Sequence, residues 1–344
     1  MKKLLLAIVL TLAFAVPALA GSGELYLYIW SEYIPDEVVE NFTRETGIKV
    51  HISTYDSNEA MYAKIKLAGG GYDLIVPSSD YVGLMRRQDL LLPLDKSKLS
   101  NFPNLSNKFT DQPFDPDNTF SVPYMWGSTA IAVNTGTLGE GAITSYADLW
   151  KPEMKGRLLL PNEPREAFAI ALKSLGYSLN DTDPAHLEQA YQKLKALIPY
   201  VRVFDSDSPK QALLSGEVSV GVVWNGEAYI ANQENPEIKY IYPKEGFSLW
   251  LDSLCIPQGA RNLDEAHAFL NYLLRPDVAA AISTEMGYST PNARAAEFIP
   301  ADVRDNPIVY PDDATALRGE FQDDIGEAMK IYEDYWVKLK RGNE

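Results

Sequence analysis

Short apolar runs alternate with helical patterns along the first third of the chain. The apolar run at 25–29 leads into a helix that Pro35 opens, and the run at 48–53 precedes a helical pattern at 58–67. The run at 74–77 then ends in a polar stretch suited to capping a helix. Because this alternation is typical of βα units with parallel strands, the chain is predicted to be an α/β protein.

A second unit of the same kind begins near 129. A new strand pattern at 129–133 follows the proline-containing stretch 122–124, so we predict that the chain first crosses between domains there. The second unit contains strand patterns at 157–160 and 218–223 and helical patterns at 166–175 and 186–197. The length also suggests two domains, at about 100 to 200 residues each.

The chain starts with the three parts of a cleaved secretory signal. Lys2 and Lys3 precede an apolar stretch, and the sequence ALA follows at 18–20. We therefore expect cleavage after Ala20 and export of a soluble protein that begins at Gly21. No cysteine follows the cleavage site, so a lipid anchor is not expected, and no later segment is apolar for the roughly 18 residues of a membrane helix.

The net charge indicates which kind of ligand the chain binds, and the cysteine content indicates what stabilises its fold. The formal net charge of -16 disfavours nucleic acid and favours a cationic ligand, although acidity for solubility alone remains an alternative. The one cysteine, Cys255, lies in an apolar run and has no partner for an internal disulfide. The exported protein is thus expected to depend on its hydrophobic core for stability.

Motifs for metal binding and covalent catalysis are missing from the sequence. The three histidines, His51, His186 and His267, are isolated, and no His or Cys pair has the spacing of a metal site. No serine nucleophile motif occurs. We therefore expect no metal and no cofactor, while carboxylates acting as acid and base leave a glycoside hydrolase as an alternative.

Aromatic and carboxylate residues recur together at the ends of the predicted strands. The groups are Trp30 with Glu32 and Tyr33, Asp80 with Tyr81, Glu163 with Glu166, Trp224 with Glu227, and Trp250 with Asp252. Such groups indicate a cleft lined by rings and negative charge, which suits a flexible organic cation. For each tryptophan taken singly, packing in the core is the alternative.

Short motifs along the whole mature sequence resemble one known family. They are WSEYIP, ETGIKV, STYDSNEAMYAK, YDLIVPSSDYV, PYMWGSTAIAVN, ADLWKPEMKG, WNGEAY, WLDSLCIP, LLRPDVA, MGYSTPN and FQDDIG. The family is that of the periplasmic spermidine/putrescine-binding proteins of bacterial ABC transporters. The resemblance implies a type II periplasmic-binding-protein clamshell with two discontinuous lobes, each a mostly parallel sheet flanked by helices. Lobe 1 is expected to comprise 21–128 and 252–296, and lobe 2 to comprise 129–251 and 297–344.

The same resemblance implies a transport function without catalysis. A monomer would capture spermidine or putrescine in the cleft between its lobes, close over it, and present it to a membrane permease and its ATPase. Another cation or small molecule in the same fold is the alternative. The implied principal anchors for ammonium groups are Glu166 and Asp252. The other implied ligand positions are Trp30, Ser31, Glu32, Tyr33, Ser78, Trp224, Trp250, Tyr288 and Gln322.

Two positions depart from the family pattern. The spermidine-preferential member of the family has tyrosine at the position of Asp80 and aspartate at that of Glu163. We include both residues among the expected ligand positions. In the cleft, Asp80 would add a charge that favours a triamine, or else it would cap the helix that begins near Tyr81. Glu163 reaches one methylene further and would shorten the cleft, so the preferred polyamine stays open.

Overall fold

A computed structural model describes residues 23–68 and 71–342, so the predicted signal segment 1–20 lies outside the described residues. The described strands are β1 (Glu24–Trp30), β2 (Lys49–Tyr55), β3 (Leu74–Ile75), β4 (Leu91–Leu92), β5 (Ser121–Asn134), β6 (Leu158–Leu160), β7 (Val201–Phe204), β8 (Val220–Trp224), β9 (Ile238–Ile241), β10 (Phe247–Pro257) and β11 (Gly319–Phe321).

The helices follow the predicted alternation with the strands. They are α1 (Asp36–Thr46), α2 (Asn58–Ala68), α3 (Ser79–Arg87), α4 (Thr135–Leu138), α5 (Pro164–Leu175), α6 (Pro184–Leu197), α7 (Lys210–Leu214), α8 (Asn225–Glu234), α9 (Leu263–Leu273), α10 (Pro276–Met286), α11 (Ala301–Arg304), α12 (Asp313–Ala316) and α13 (Met329–Arg341). Each predicted helix and strand is confirmed with its ends shifted by a few residues, except that the strand predicted at 129–133 begins eight residues earlier, at Ser121. None of the described helices has the length and apolar composition needed to cross a membrane.

One mixed sheet runs in the order β2-β1-β3-β10-β5-β8-β6-β7. β1 pairs in parallel with β2 and β3 at one end, and β6 pairs in parallel with β7 and β8 at the other. The two long strands β5 and β10 lie between these groups and pair with each other in antiparallel orientation. The parallel pairing predicted for each lobe is thus found toward both ends of the sheet. The centre is antiparallel because β5 crosses in one direction and β10 returns.

The predicted lobe boundaries fall where the chain passes between the two ends of the sheet. The boundary 128/129 lies within β5, 251/252 lies within β10, and 296/297 lies in the turn Ala295–Glu297. Separate hydrophobic clusters pack α1, α9 and α10 against β1, and α5 against α6 and α13. A further cluster packs Ala279 and Ala295 of predicted lobe 1 against residues of predicted lobe 2, so the lobe ranges stay a prediction.

A β-bulge interrupts the pairing of β5 with β10 at the middle of the molecule. Asp252 pairs with Met125 and Ser253 with Pro123, so Tyr124 is the extra residue. Proline lacks the amide hydrogen that a regular ladder needs, and a bulge is a position that accepts it. Bulges also redirect the neighbouring side chains, which matters here because Asp252 lies at the bulge.

Candidate ligand-binding site

A cavity of about 610 Å³, part of it open to solvent, lies beside the strand ends. The cavity is lined by Trp30, Ser31, Tyr33, Asn58, Ser78, Glu163, Glu166, Ser206, Asp207, Trp224, Glu227, Trp250, Asp252, Tyr288 and Gln322. All predicted ligand positions except Glu32 and Asp80 are among them.

The sheet topology explains why residues distant in sequence meet here. Trp30 is the last residue of β1, Ser78 follows β3, and Glu163 follows β6. Trp224 is the last residue of β8. Carboxyl ends of parallel strands form the rim where ligands bind in open α/β sheets, and here two such rims face one cavity.

Three buried rings form an aromatic wall. The rings of Trp250 and Tyr288 are edge-to-face, with centroids 5.3 Å apart, and Tyr33 meets Tyr288 at 5.3 Å in a similar arrangement. A Cβ atom on Gly127 would collide with the Trp250 ring, and one on Gly226 would collide with Tyr288. Glycine at these two positions therefore allows the rings to lie close to the backbone.

Asp252 is buried and held by two hydroxyl groups. The Ser78 hydroxyl donates to Oδ1 at 2.6 Å, and the Tyr33 hydroxyl donates to Oδ2 at 2.7 Å. Burial raises the pKa of Asp252 to about 7, against the opposing effect of these two hydrogen bonds. Both donors are neutral, so Asp252 has an oriented carboxyl group without a cationic partner among the described residues.

Glu166 has one oxygen bound and one free. Its Oε1 accepts hydrogen bonds from the Gln322 amide at 2.8 Å and the Thr129 hydroxyl at 3.0 Å. Its Oε2 is buried and has no hydrogen-bond partner among the described residues. Burial raises the pKa of Glu166 to about 7. Because an unpaired buried oxygen costs free energy, this atom is suited to accept from a donor that the described residues do not supply.

Glu163 carries a second unpaired oxygen in the cavity wall. Its Oε1 is buried and has no hydrogen-bond partner in the described part of the chain. Burial, followed by repulsion from Glu59 and Glu166, raises the pKa of Glu163 well above its usual range. A cation placed between these groups would relieve both the desolvation and the repulsion.

Asp80 lies outside the cavity lining. It occupies the first turn of α3 and is buried, with Oδ2 3.8 Å from Nη1 of Arg165 on α5. Burial raises the pKa of Asp80, while Arg165 lowers it. Arg165 also donates to the Asp323 carbonyl at 3.0 Å and to the Asn180 side chain at 2.7 Å. The structure therefore places Asp80 at a helix start, opposite an arginine.

Glu32 also lies outside the cavity lining, although both of its neighbours are part of it. Its side chain is about half exposed and forms an ion pair with Lys210 of α7. Its φ of 49° lies in the left-handed region, which is uncommon for a residue other than glycine. This conformation occurs at the turn between β1 and α1.

Four lining residues were not among the predicted ligand positions: Asn58, Ser206, Asp207 and Glu227. Glu227 belongs to one of the aromatic and carboxylate groups noted in the sequence, so the strand-end pattern already indicated it. Ser206 and Asp207 follow β7, a strand that the sequence analysis does not predict, and they could have been found only if that strand had been recognised. Asn58 has no such signal. It lines the cavity because its amide donates to the Ser78 hydroxyl at 3.0 Å, a contact between distant segments.

Comparisons with known proteins place the chain among transport proteins. The family model of the bacterial extracellular solute-binding proteins matches residues 37–311. The chain is similar to the spermidine/putrescine-binding periplasmic protein of Salmonella typhimurium, with 48% identity over 99% of this chain and 98% of the relative. It is 35% identical to the putrescine-binding periplasmic protein PotF of Escherichia coli, over 96% of this chain and 95% of that protein.

A solved structure gives the same result for the fold. The spermidine/putrescine ABC transporter substrate-binding protein PotD from Streptococcus pneumoniae superposes with a TM-score of 0.78 at 38% identity. The superposition covers 93% of this chain and 99% of that one. The two-lobe periplasmic-binding-protein fold expected from the sequence is thereby confirmed.

Proposed function

Because the chain belongs to the bacterial extracellular solute-binding proteins, the family of the spermidine/putrescine-binding periplasmic proteins, we propose that it captures a polyamine for an ABC transporter. Spermidine and putrescine are the proposed ligands, and the cavity between the predicted lobes is the proposed site. One observation carries the proposal: the unpaired buried oxygens of Glu163 and Glu166 lie in one cavity with Asp252, beside a wall of aromatic rings.

A protonated polyamine matches this cavity group by group. Each primary ammonium has three N–H donors, and the carboxyl groups of Glu163, Glu166 and Asp252 offer acceptors that have no ion pair with any described residue. The methylene segments between the ammonium groups can lie on the rings of Trp250 and Tyr288. Pairing also offsets the cost of removing both charges from water.

Titration calorimetry with a panel of cations tests this function. We expect putrescine and spermidine to bind and arginine and lysine to bind far more weakly, because buried acids repel the α-carboxylate of an amino acid. Spermine and cadaverine report the usable length of the cavity. Tighter binding of a basic amino acid than of either polyamine would contradict the proposal and favour another cation in the same fold.

We further propose that the bound ligand leaves unchanged. The glycoside hydrolase considered from the carboxylates predicts a chemical product, whereas a transport protein predicts none. Mass spectrometry of putrescine and spermidine after long incubation with the protein distinguishes the two functions, and recovery of a modified amine would contradict the transport role.

In the transport role, the closed, ligand-bound monomer is presented to a permease and its ATPase. Ligand-induced compaction of a monomer in small-angle scattering is the expected sign of closure.

Export with cleavage after Ala20 is the proposed route to the periplasm. The signal pattern at 1–20 supports this proposal. We expect mass spectrometry of periplasmic material to give a chain that begins at Gly21. A chain that keeps Met1, or one that carries a lipid adduct, would contradict it.

Replacing Asp80 by asparagine should leave ligand selectivity unchanged. Asparagine serves at a helix start nearly as well as aspartate, and Arg165 keeps its contacts with Asp323 and Asn180. We therefore expect a melting temperature within a few degrees of the parent's, with the ratio of spermidine to putrescine affinity held within error. A change in that ratio, measured by calorimetry in one buffer, would return Asp80 to the ligand positions.

A further inference from the structure

Lys210 places an ammonium group of the protein itself beside the cavity. Its side chain is only 7% exposed, and Nζ donates to both carboxyl oxygens of Glu227, at 3.1 and 3.2 Å. Nζ also donates to the Ser208 hydroxyl at 3.0 Å and to the carboxylate of Glu32. The lysine thus has three acceptor groups around its nitrogen, which is the coordination that a ligand ammonium requires.

One of these acceptors belongs to the cavity wall, and a second lies at its edge. Glu227 lines the cavity, and Glu32 lies between Ser31 and Tyr33, which also line it. The backbone N–H of Lys210 adds a hydrogen bond to Glu227 at 3.2 Å, so α7 holds this carboxylate at two points. The pair Glu32 and Glu227 is therefore an anionic subsite at the edge of the same cavity, already occupied by a cation.

The occupied subsite is separate from the open acids. Tyr288 lines the cavity near both groups: its ring is 5.3 Å from that of Tyr33, which binds Asp252, and it lies against Gly226, the residue before Glu227. Lys210 neutralises Glu227. Asp252, in contrast, has neutral hydroxyl donors, and Glu163 and Glu166 keep unpaired oxygens.

Lys210 stays charged in this position. Burial disfavours the ammonium form, but the attraction of Glu227 and Glu32 outweighs burial, and the pKa of Lys210 is raised. A second ammonium brought to Glu227 would therefore meet a permanent like charge within a few ångströms, and would gain no acceptor that Lys210 does not already use.

We propose that Lys210 determines which polyamine is bound, because its ammonium fills the position that the third ammonium of a triamine would take between Glu32 and Glu227. The cavity then matches a diamine such as putrescine better than spermidine. The inference rests on the proposed polyamine function and adds the length and charge of the ligand to it.

The intact protein gives the first test. We expect calorimetry to show that putrescine binds at least as tightly as spermidine. A wild-type protein that prefers spermidine tenfold or more overturns the role of Lys210. A wild-type protein that binds no polyamine overturns the proposed function instead, so the two failures are distinguishable.

The second test replaces the ammonium by a side chain of similar length. In Lys210→Met we expect the ratio of spermidine to putrescine affinity to rise about tenfold or more, since one charge-assisted contact of the third ammonium becomes available. The double variant Lys210→Met/Glu227→Gln should lose this gain, because the acceptor is then neutral. Lys330→Met is the matched control, since Lys330 is exposed and pairs only with Asp334 among the ion pairs of the described residues.

An alternative role for Lys210, as a purely structural contact, leads to a different prediction. Glu32 and Glu227 belong to opposite predicted lobes, so the lysine could act only as a contact that holds the lobes together. Lys210→Met would then weaken the binding of both polyamines by the same factor, with the ratio unchanged. That outcome overturns the selectivity role, and melting curves of each variant establish that the protein is folded in the comparison.

Discussion

The Asp252→Asn variant is expected to bind putrescine and spermidine at least about a hundredfold more weakly than the parent, since breaking a buried ion pair costs about 3 to 5 kcal/mol. Asparagine keeps the shape of the side chain and can still bond the hydroxyls of Ser78 and Tyr33. What it removes is the negative charge facing the ligand. Calorimetry on both ligands measures the loss directly.

The variant should remain folded. Burial makes the charged form of Asp252 costly in the free protein, so a neutral amide is expected to maintain or raise the melting temperature of the unliganded state. The matched control is Asp305→Asn, which removes the same charge from an exposed side chain paired with Arg304. It should leave both affinities unchanged. Normal polyamine binding by Asp252→Asn would show that this carboxylate is not an anchor.

Loss of a ring is expected to cost less than loss of this acid. Trp224→Leu keeps an apolar side chain at the end of β8 but removes one aromatic face from the cavity. A single cation–π contact contributes about 0.5 to 2 kcal/mol, so we expect a loss of affinity of about 2- to 30-fold. A loss larger than that of Asp252→Asn would reverse the order of anchors proposed here.

The residues at the strand ends that line the site could be predicted, because the end of a strand can be recognised from the local sequence. Strand β1 is recognisable from its apolar run, its end at Trp30 follows from Pro35, and parallel strand ends meet at one rim. The same rule locates Glu163 after β6 and Trp224 at the end of β8. These positions required no knowledge of how the helices pack.

Three features could not be predicted in this way: the positions of Asp80 and Glu32 outside the cavity lining, and the first half of β5. They depend on tertiary contacts, which local sequence patterns do not reveal. Helix α3 starts at Ser79, so Asp80 lies in its first turn and faces Arg165. Glu32 sits in the expected turn, but Lys210, far along the chain, draws its carboxylate away from the cavity. Strand β5 was predicted only for 129–133, because Pro123 conceals its first half and the bulge that accepts this proline forms only against β10.

Polyamine affinity is expected to rise with pH between about pH 5.5 and pH 8. In the free protein, burial holds the pKa values of Asp252 and Glu166 at about 7 and raises that of Glu163 well above its usual range. The ligand ammoniums, with pKa values near 10, require the ionised carboxylates. Each carboxyl group that ionises on binding releases one proton, and below its pKa contributes up to about tenfold in affinity per pH unit.

The same raised pKa values make the stability of the unliganded protein depend on pH. The folded-state pKa values of Asp252 and Glu166 lie above their unfolded values of about 4, so protons bind the folded state more tightly. Their contribution is therefore fully present below about pH 4 and is lost as the pH rises through about 7. Bound polyamine replaces those protons. The rise in melting temperature caused by saturating putrescine should accordingly be larger at about pH 8 than at about pH 5.5.

Calorimetry in buffers of different ionisation enthalpy, at constant ionic strength, measures the proton release directly. We expect about one to two protons per putrescine near pH 6, and fewer above pH 8, where the free protein is already ionised at Asp252 and Glu166. Glu166→Gln should release fewer protons and give a shallower rise of affinity with pH. Affinity that does not change with pH, together with no proton release, would mean that these acids are already charged in the empty cavity, and the role of burial in preparing the site would then be wrong.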